Sequence, residues 1–184
     1  MDQTLVAPAS EAPSEAETAF EALYRSSRDD VYAYVAGLLR DRSAAEDVTA
    51  QAFERAYRRR ASFNPRRGTH RAWLFGIARN AALDELRRRR RQTELADDPE
   101  DEGAAEALDD AAEAALRRSV VRHAIAGLDP RERELIALKY FAGLSNAEIA
   151  AVLQTSQSNA GTRLHRAIEK LRQACDQEGR RDEA

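Results

Sequence analysis

The sequence predicts an all-α chain: two small helical domains joined by an acidic flexible linker, the second domain containing a helix-turn-helix. Three observations carry this. Apolar residues recur at three- and four-residue steps through most of the 184 residues, and no stretch alternates as a strand would. The periodicity lapses across residues 92–115, where large apolar side chains almost vanish. Beyond that break, a short capped helix, a turn and a second helix follow one another.

Residues 1–17 are rich in Ala, Pro, Ser and Glu and read as a disordered tail. The first domain spans 18–91. Its opening helix lines Phe20, Leu23, Tyr24, Val31, Val35, Leu38 and Leu39 on one face. Ser43-Ala-Ala-Glu46 has the form of a capping box for a second helix, whose apolar side runs through Val48, Ala52, Phe53, Ala56 and Tyr57. Pro65 and Gly68 make 63–70 a loop. A third helix, about 71 to 91, buries Trp73, Leu74, Ile77, Ala78, Ala81 and Leu86.

The linker, 92–115, holds too little apolar surface to order itself, so the two domains are expected to move independently in the free chain. The second domain, 116–177, opens on Leu116, Val120, Val121, Ala124, Ile125 and Leu128. Asp129-Pro130-Arg131-Glu132 supplies an N-cap, a proline at the first helical position and a capping glutamate, ahead of Leu135, Ile136, Leu138, Tyr140 and Phe141. Ser145 and Glu148 form another capping box, Gln154-Thr155-Ser156 a turn, and Ala160, Leu164, Ile168 and Leu171 the face of a last helix. Residues 178–184 read as a tail.

Net charge is only −3, but the charge is segregated. Residues 55–91 carry thirteen Arg against Asp84 and Glu85, whereas 92–116 carry ten acidic side chains and no basic one. Two such blocks serve different partners. No apolar run approaches the ~20 residues of a membrane span. The N-terminus lacks a secretory signal, so the expected address is cytoplasmic. Cys175 is the single cysteine, and His70, His123 and His165 lack metal-ligand spacing. Nothing argues for an enzyme: no catalytic residue, cofactor or metal is expected.

The second helix of the helix-turn-helix carries Gln157, Ser158, Asn159, Thr162, Arg163 and Arg166, types that bond base edges and phosphates. A plain helical hairpin with a solvated face is the competing reading. Arg87–Arg91, with Arg58–Arg60, Arg66, Arg67, Arg71 and Arg79, favours a nearby phosphate backbone. Phe63 and Trp73 offer stacking surfaces, although each on its own is more often a core residue, Trp73 above all at its buried helical position. Asp84 suits a pair with Arg88 no better and no worse than any other role.

Three segments resemble bacterial sigma factors of the extracytoplasmic-function group. Ala45-Glu-Asp-Val-Thr-Ala-Gln-Ala-Phe-Glu-Arg-Ala-Tyr57 resembles their helix for core RNA polymerase. Trp73-Leu-Phe-Gly-Ile-Ala-Arg-Asn-Ala-Ala-Leu-Asp84 resembles the helix for the −10 element. Leu128–Leu135, Tyr140–Ala150 and Arg163–Ala167 resemble the domain for the −35 element. The resemblance implies transcription initiation without enzymatic activity, and association with the nucleoid when active. Core RNA polymerase would be met by Glu46, Asp47, Gln51, Phe53 and Glu54. The melted −10 strand would be met by Phe63, Asn64, Arg66, Arg67, His70, Trp73, Arg79, Asn80, Asp84, Arg87 and Arg88, and duplex −35 DNA by the six residues of the last helix. It also implies an anti-sigma partner and no membrane insertion. The chain departs from the family at Ala160 and Gly161, where a β-branched residue and a basic one are usual. Two alternatives stay open. A two-component-type regulator shares the Leu128–Ala150 resemblance but needs a receiver that 18–91 does not supply. A protein-binding helical adaptor would leave the arginines unused.

Overall fold

A computed structural model describes residues 15–95 and 112–182, with side chains over 17–92 and 119–177. Every regular element among them is helical: α1 (Glu15–Leu39), α2 (Arg42–Arg58), 3-10 turns at Arg60–Ser62 and Pro65–Arg67, α3 (His70–Leu95), α4 (Ala112–Ala126), α5 (Pro130–Ile136), α6 (Asn146–Leu153) and α7 (Gln157–Asp182). Residues 137–141 continue α5 as a π-helical turn.

Helix boundaries depart from the sequence expectation in four places. α1 takes in residues 15–17 of the expected tail, α3 and α4 shorten the linker to 96–111, and α7 runs through most of the tail at 178–184. The rest of the N-terminal tail and the centre of the linker lie outside the described residues. In α3 the extension has a visible cause. Glu85 accepts from Arg88 and Arg89, and Arg88 also bonds Gln92, so local pairs relieve the repulsion of the arginine run.

The cap of α2 is also corrected. Asp41, not Ser43, precedes the helix in extended conformation, and its carboxylate accepts from the Ala44 N–H at 3.1 Å and from Arg89. Arg40, at φ 55°, turns the chain so that Asp41 arrives first. The boxes at Asp129/Glu132 and Ser145/Glu148 form as expected.

α1, α2 and α3 pack around Val31, Tyr34, Val35, Val48, Phe53, Leu74 and Phe75, with Tyr34 edge-on to Phe75 at 5.6 Å. Several residues expected in the apolar faces are instead at least a third exposed: Tyr24, Tyr57, Leu86, Val121, Tyr140 and Phe141. At the bundle's rim, Tyr24 packs edge-on against Phe53, and Tyr57 against Phe20.

The expected independence of the two domains is not what the structure holds. Leu135, Ala137, Leu138, Ala142, Leu144, Ile149, Ala150 and Val152 belong to the same buried cluster as the three-helix bundle, with α6 seated on α3 and the π-turn on α1. A smaller cluster of Leu128, Ile136 and Ala167 secures α7 and α5 to each other. The apolar faces of α5 and α6 exceed what α7 alone covers, and burying the remainder against the first domain is the favourable alternative to leaving it in water.

Candidate nucleic-acid interface

The basic face of the first domain is built by the loop ahead of α3. The Asn64 side chain accepts from the Arg66 N–H at 2.9 Å, with Pro65 opening the turn. Gly68 adopts φ 144°, which a side chain would disfavour, and the Thr69 hydroxyl then caps α3 through the Ala72 N–H at 3.1 Å. This path stacks the Phe63 ring on His70 (centroids 3.5 Å, 24°) and sets it edge-on to Trp73 at 5.8 Å. Arg66 and Arg67 stand exposed at the tip.

A groove of about 650 Å³ runs beside these rings, bringing together Phe63, Asn64, Arg67, Trp73, Arg79 and Asn80; Ala151–Gln154 of the second domain form its opposite wall. His70 faces a neighbouring hollow of about 420 Å³ that Trp73 shares. Asp84, Arg87 and Arg88 lie further along α3, outside that groove. Asp84 pairs with Arg87 at 3.1 Å and Arg55 at 3.7 Å, not with Arg88. Arg88 instead holds Glu85, whose carboxyl it depresses to about 2, helped by Arg89 and opposed by burial.

Three residues named in the sequence reading take other parts here, and a fourth, Glu134, escapes it. Arg59 lines the groove, a position already within the counted basic block. Arg71, expected at phosphate, is a strut: it bonds Asp30 at 2.7 Å and the Ala142 carbonyl oxygen. Glu134, 7% exposed, receives Arg79 Nε at 2.6 Å and Nη2 at 3.3 Å. Glu148 accepts from Thr69 Oγ1 at 2.9 Å. Burial pushes the Glu148 carboxyl up, but bonds from Ser145 and Thr69 outweigh this and its net shift is downward.

On α2, Glu46, Asp47, Gln51 and Glu54 are exposed together, while Phe53 is 5% exposed and supports that face from beneath. On α7, Gln157, Ser158, Asn159, Thr162 and Arg166 are exposed and Arg163 is half-buried. Asn159 donates to Thr155 Oγ1 at 2.7 Å. Arg163 and Arg166 line a second cleft, of about 410 Å³, with Asp129, Glu132, Glu134 and Arg79. A Cβ at Gly161 would meet Asn146 Nδ2 at an ordinary 3.6 Å. Among the described residues no cluster of side chains suits a metal ion, and no helix is long and apolar enough to cross a membrane.

Two family descriptions match the chain: Sigma-70 region 2 over residues 23–92 and Sigma-70 region 4 over 118–171. The ECF RNA polymerase sigma factor SigL of Mycobacterium tuberculosis is 31% identical over 151 residues, covering 82% of this chain and 85% of SigL. The RNA polymerase sigma factor CarQ of Myxococcus xanthus is 35% identical over 159 residues, covering 86% and 90%. Among solved structures, the sigma factor RpoE in complex with the anti-sigma factor NepR from Bartonella quintana superposes with a TM-score of 0.72 at 23% identity, covering 86% of this chain and 98% of that one. CnrH in complex with the cytosolic domain of CnrY gives 0.63 at 27% identity, covering 86% and 88%. With both regions matched in order and an acidic helix face set apart from a basic groove, the chain belongs to the extracytoplasmic-function group of sigma-70 family RNA polymerase sigma factors.

Proposed function

We propose a division of labour among three surfaces for the promoter-directed initiation that a sigma factor performs. The exposed acidic face of α2 (Glu46, Asp47, Gln51, Glu54) meets a basic surface of core RNA polymerase. The groove beside α3 takes the melted −10 strand. Gln157, Ser158, Asn159, Thr162, Arg163 and Arg166 of α7 read duplex −35 DNA. The protein acts on the nucleoid, in the cytoplasm, by binding and not by catalysis.

The observation that carries this is the Phe63–His70–Trp73 ring cluster at the mouth of a groove lined by Arg59, Arg67, Arg79 and Asn80. An aromatic platform beside cations is what an unpaired strand needs, stacking contributing about 1–3 kcal/mol per base. Arg87, paired with Asp84 on an exposed stretch of α3, exchanges that carboxylate for a backbone phosphate at little cost, since exposed pairs contribute ~0–1 kcal/mol. The CnrH neighbour, solved in complex with the cytosolic domain of CnrY, supports a protein partner for this chain as well.

Competition for core polymerase tests the assignment. Replacing Asp47 and Glu54 together with Arg should weaken core binding at least tenfold, about 1.4 kcal/mol. The pair Asn64→Ala and Arg67→Ala should leave core binding intact and reduce opening of a promoter selected from a random duplex library by the parent holoenzyme. Equal competition by the charge-reversed protein, or unimpaired opening by the second, refutes the corresponding surface.

A further inference from the structure

Where α1 meets α4 and the π-turn, a cluster of cations stands apart from the surfaces assigned to DNA and polymerase. The π-turn carries the Phe141 ring onto Gly37 of α1 so closely that a Cβ there would lie 2.8 Å from two ring carbons. Beside this contact lies a hollow of about 150 Å³, with Ala36, Ile125 and Phe141 among its apolar walls. Three arginines complete it, each from a different part of the chain: Arg40 just past α1, Arg122 of α4 and Arg133 of α5. Among the described residues no carboxylate lines it.

These charges are set against one another. Arg133 is half-buried and fixed in place: its Nη2 donates to the Ala126 and Leu128 carbonyl oxygens at 3.0 Å each, while its Nε is buried without a hydrogen-bond partner. Burial lowers its pKa most, and the like charge of Arg40 lowers it further; Asp129 opposes them without cancelling them. Arg40 is exposed and adopts φ 55°, a left-handed conformation that glycine or asparagine takes at lower cost. Backbone geometry therefore gives no reason for an arginine at 40, and a cation beside a half-buried cation does not stabilise the fold by itself. An oxyanion in the hollow turns this repulsion into attraction, and guanidinium forks match its geometry. About 150 Å³ is the share of about five waters at ~30 Å³ each, room for a phosphate or pyrophosphate but not for a nucleotide's sugar and base as well.

We propose that this hollow is a binding site for a small, free phosphate-type oxyanion, held by Arg40, Arg122 and Arg133 beside the Phe141–Gly37 contact. The site stands independently of the function proposed above, because none of the surfaces assigned to DNA or polymerase includes these three arginines. A backbone phosphate of DNA offers the same chemistry, and the size of the hollow favours the free anion over it.

The full-length protein is titrated with sodium pyrophosphate, with inorganic phosphate and with a mixed-sequence single-stranded oligodeoxynucleotide, each against sodium chloride at matched ionic strength. Melting midpoints and titration calorimetry provide the readout. Pyrophosphate should raise the midpoint by ~2 °C or more, saturably, as binding to the folded chain requires. Inorganic phosphate should act in the same direction with lower affinity. Arg40→Gln should weaken pyrophosphate binding at least tenfold, yet melt no lower than the parent without ligand, because it removes the like charge beside Arg133. Arg122→Gln should also weaken binding, whereas Arg172→Gln, at the exposed pair with Glu169 outside the hollow, should not. A midpoint that follows ionic strength alone overturns the site, as does equal binding by Arg40→Gln. Stabilisation by the oligonucleotide but not by pyrophosphate overturns it in favour of a nucleic-acid contact. A lower ligand-free midpoint for Arg40→Gln overturns it too, by showing that this arginine serves the fold.

Discussion

The outer face of α2 and the inner face of α3 belong to one three-helix bundle, yet they meet the rest of the chain in opposite ways. Glu46, Asp47, Gln51 and Glu54 stand exposed to water, whereas Arg79, Thr69 and Arg71 are already engaged by Glu134, Glu148 and Ala142. The face proposed for polymerase is presented by local helix geometry alone. The groove proposed for DNA is walled in part by the chain's other half, so its exposure depends on tertiary contacts. On that proposal, affinity for polymerase and affinity for DNA are separable properties.

Removing the support that both faces share has the largest expected effect. Phe75 is fully buried on α3, against Tyr34, in the cluster that includes residues of both domains. Phe75→Ala should cost ~3–5 kcal/mol, seen as a lower denaturation midpoint. Probes in each half should shift together, because one core serves both. A first domain that unfolds while the helix-turn-helix keeps its own midpoint would show that the two faces are supported separately.

A smaller effect separates two parts of α3 itself, its groove-facing turns and its arginine-rich end. The folded pKa of Glu85 is about 2 against an ordinary 4.5, with the Arg88 bond the largest cause. A depressed carboxylate stabilises above its unfolded pKa, and that stability drains as pH falls from about 4.5 through about 2. The shift alone corresponds to about 3 kcal/mol, and screening at the half-exposed Arg88 reduces it to roughly 1–2 kcal/mol. Glu85→Gln should be less stable than the parent by that amount at pH 7, with the gap closing toward pH 2. A gap that is constant with pH would assign the loss to packing and not to the ion pairs.

The smallest change concerns α7, the helix proposed to read −35 DNA. Gly161 occupies the interior of α7 with ordinary space for a Cβ beside Asn146. Gly161→Ala should raise stability by up to about 1 kcal/mol in a melting experiment and leave polymerase binding unchanged. Destabilisation would mean that α6 and α7 approach more closely here than the 3.6 Å contact indicates.

Features set by residues close in the chain are legible in the sequence itself. The boxes at Asp129/Glu132 and Ser145/Glu148 can be read there because a cap and its N3 partner lie three residues apart. The cap of α2 cannot, because Asp41 and Ser43 are both acceptable caps and the left-handed turn at Arg40 chooses between them. Asp84 has cations at three and four residues on its own helix as well as Arg55 on the preceding one, so spacing alone does not select its partner.

Of the site, the sequence by itself determines the chemical inventory: an acidic helix face, a basic loop with Phe63 and Trp73, and a polar last helix. Helical periodicity and capping depend on neighbours within a turn or so, and the hydrophobic pattern records them directly. Which of those side chains are available to a ligand is decided only by the tertiary structure. Arg79 and Glu134 lie on opposite sides of the acidic segment, and Gly37 and Phe141 are more than a hundred residues apart. Whether such groups meet depends on how much apolar surface each half leaves uncovered and how closely two backbones can approach. Neither quantity has a local signature in the order of the residues.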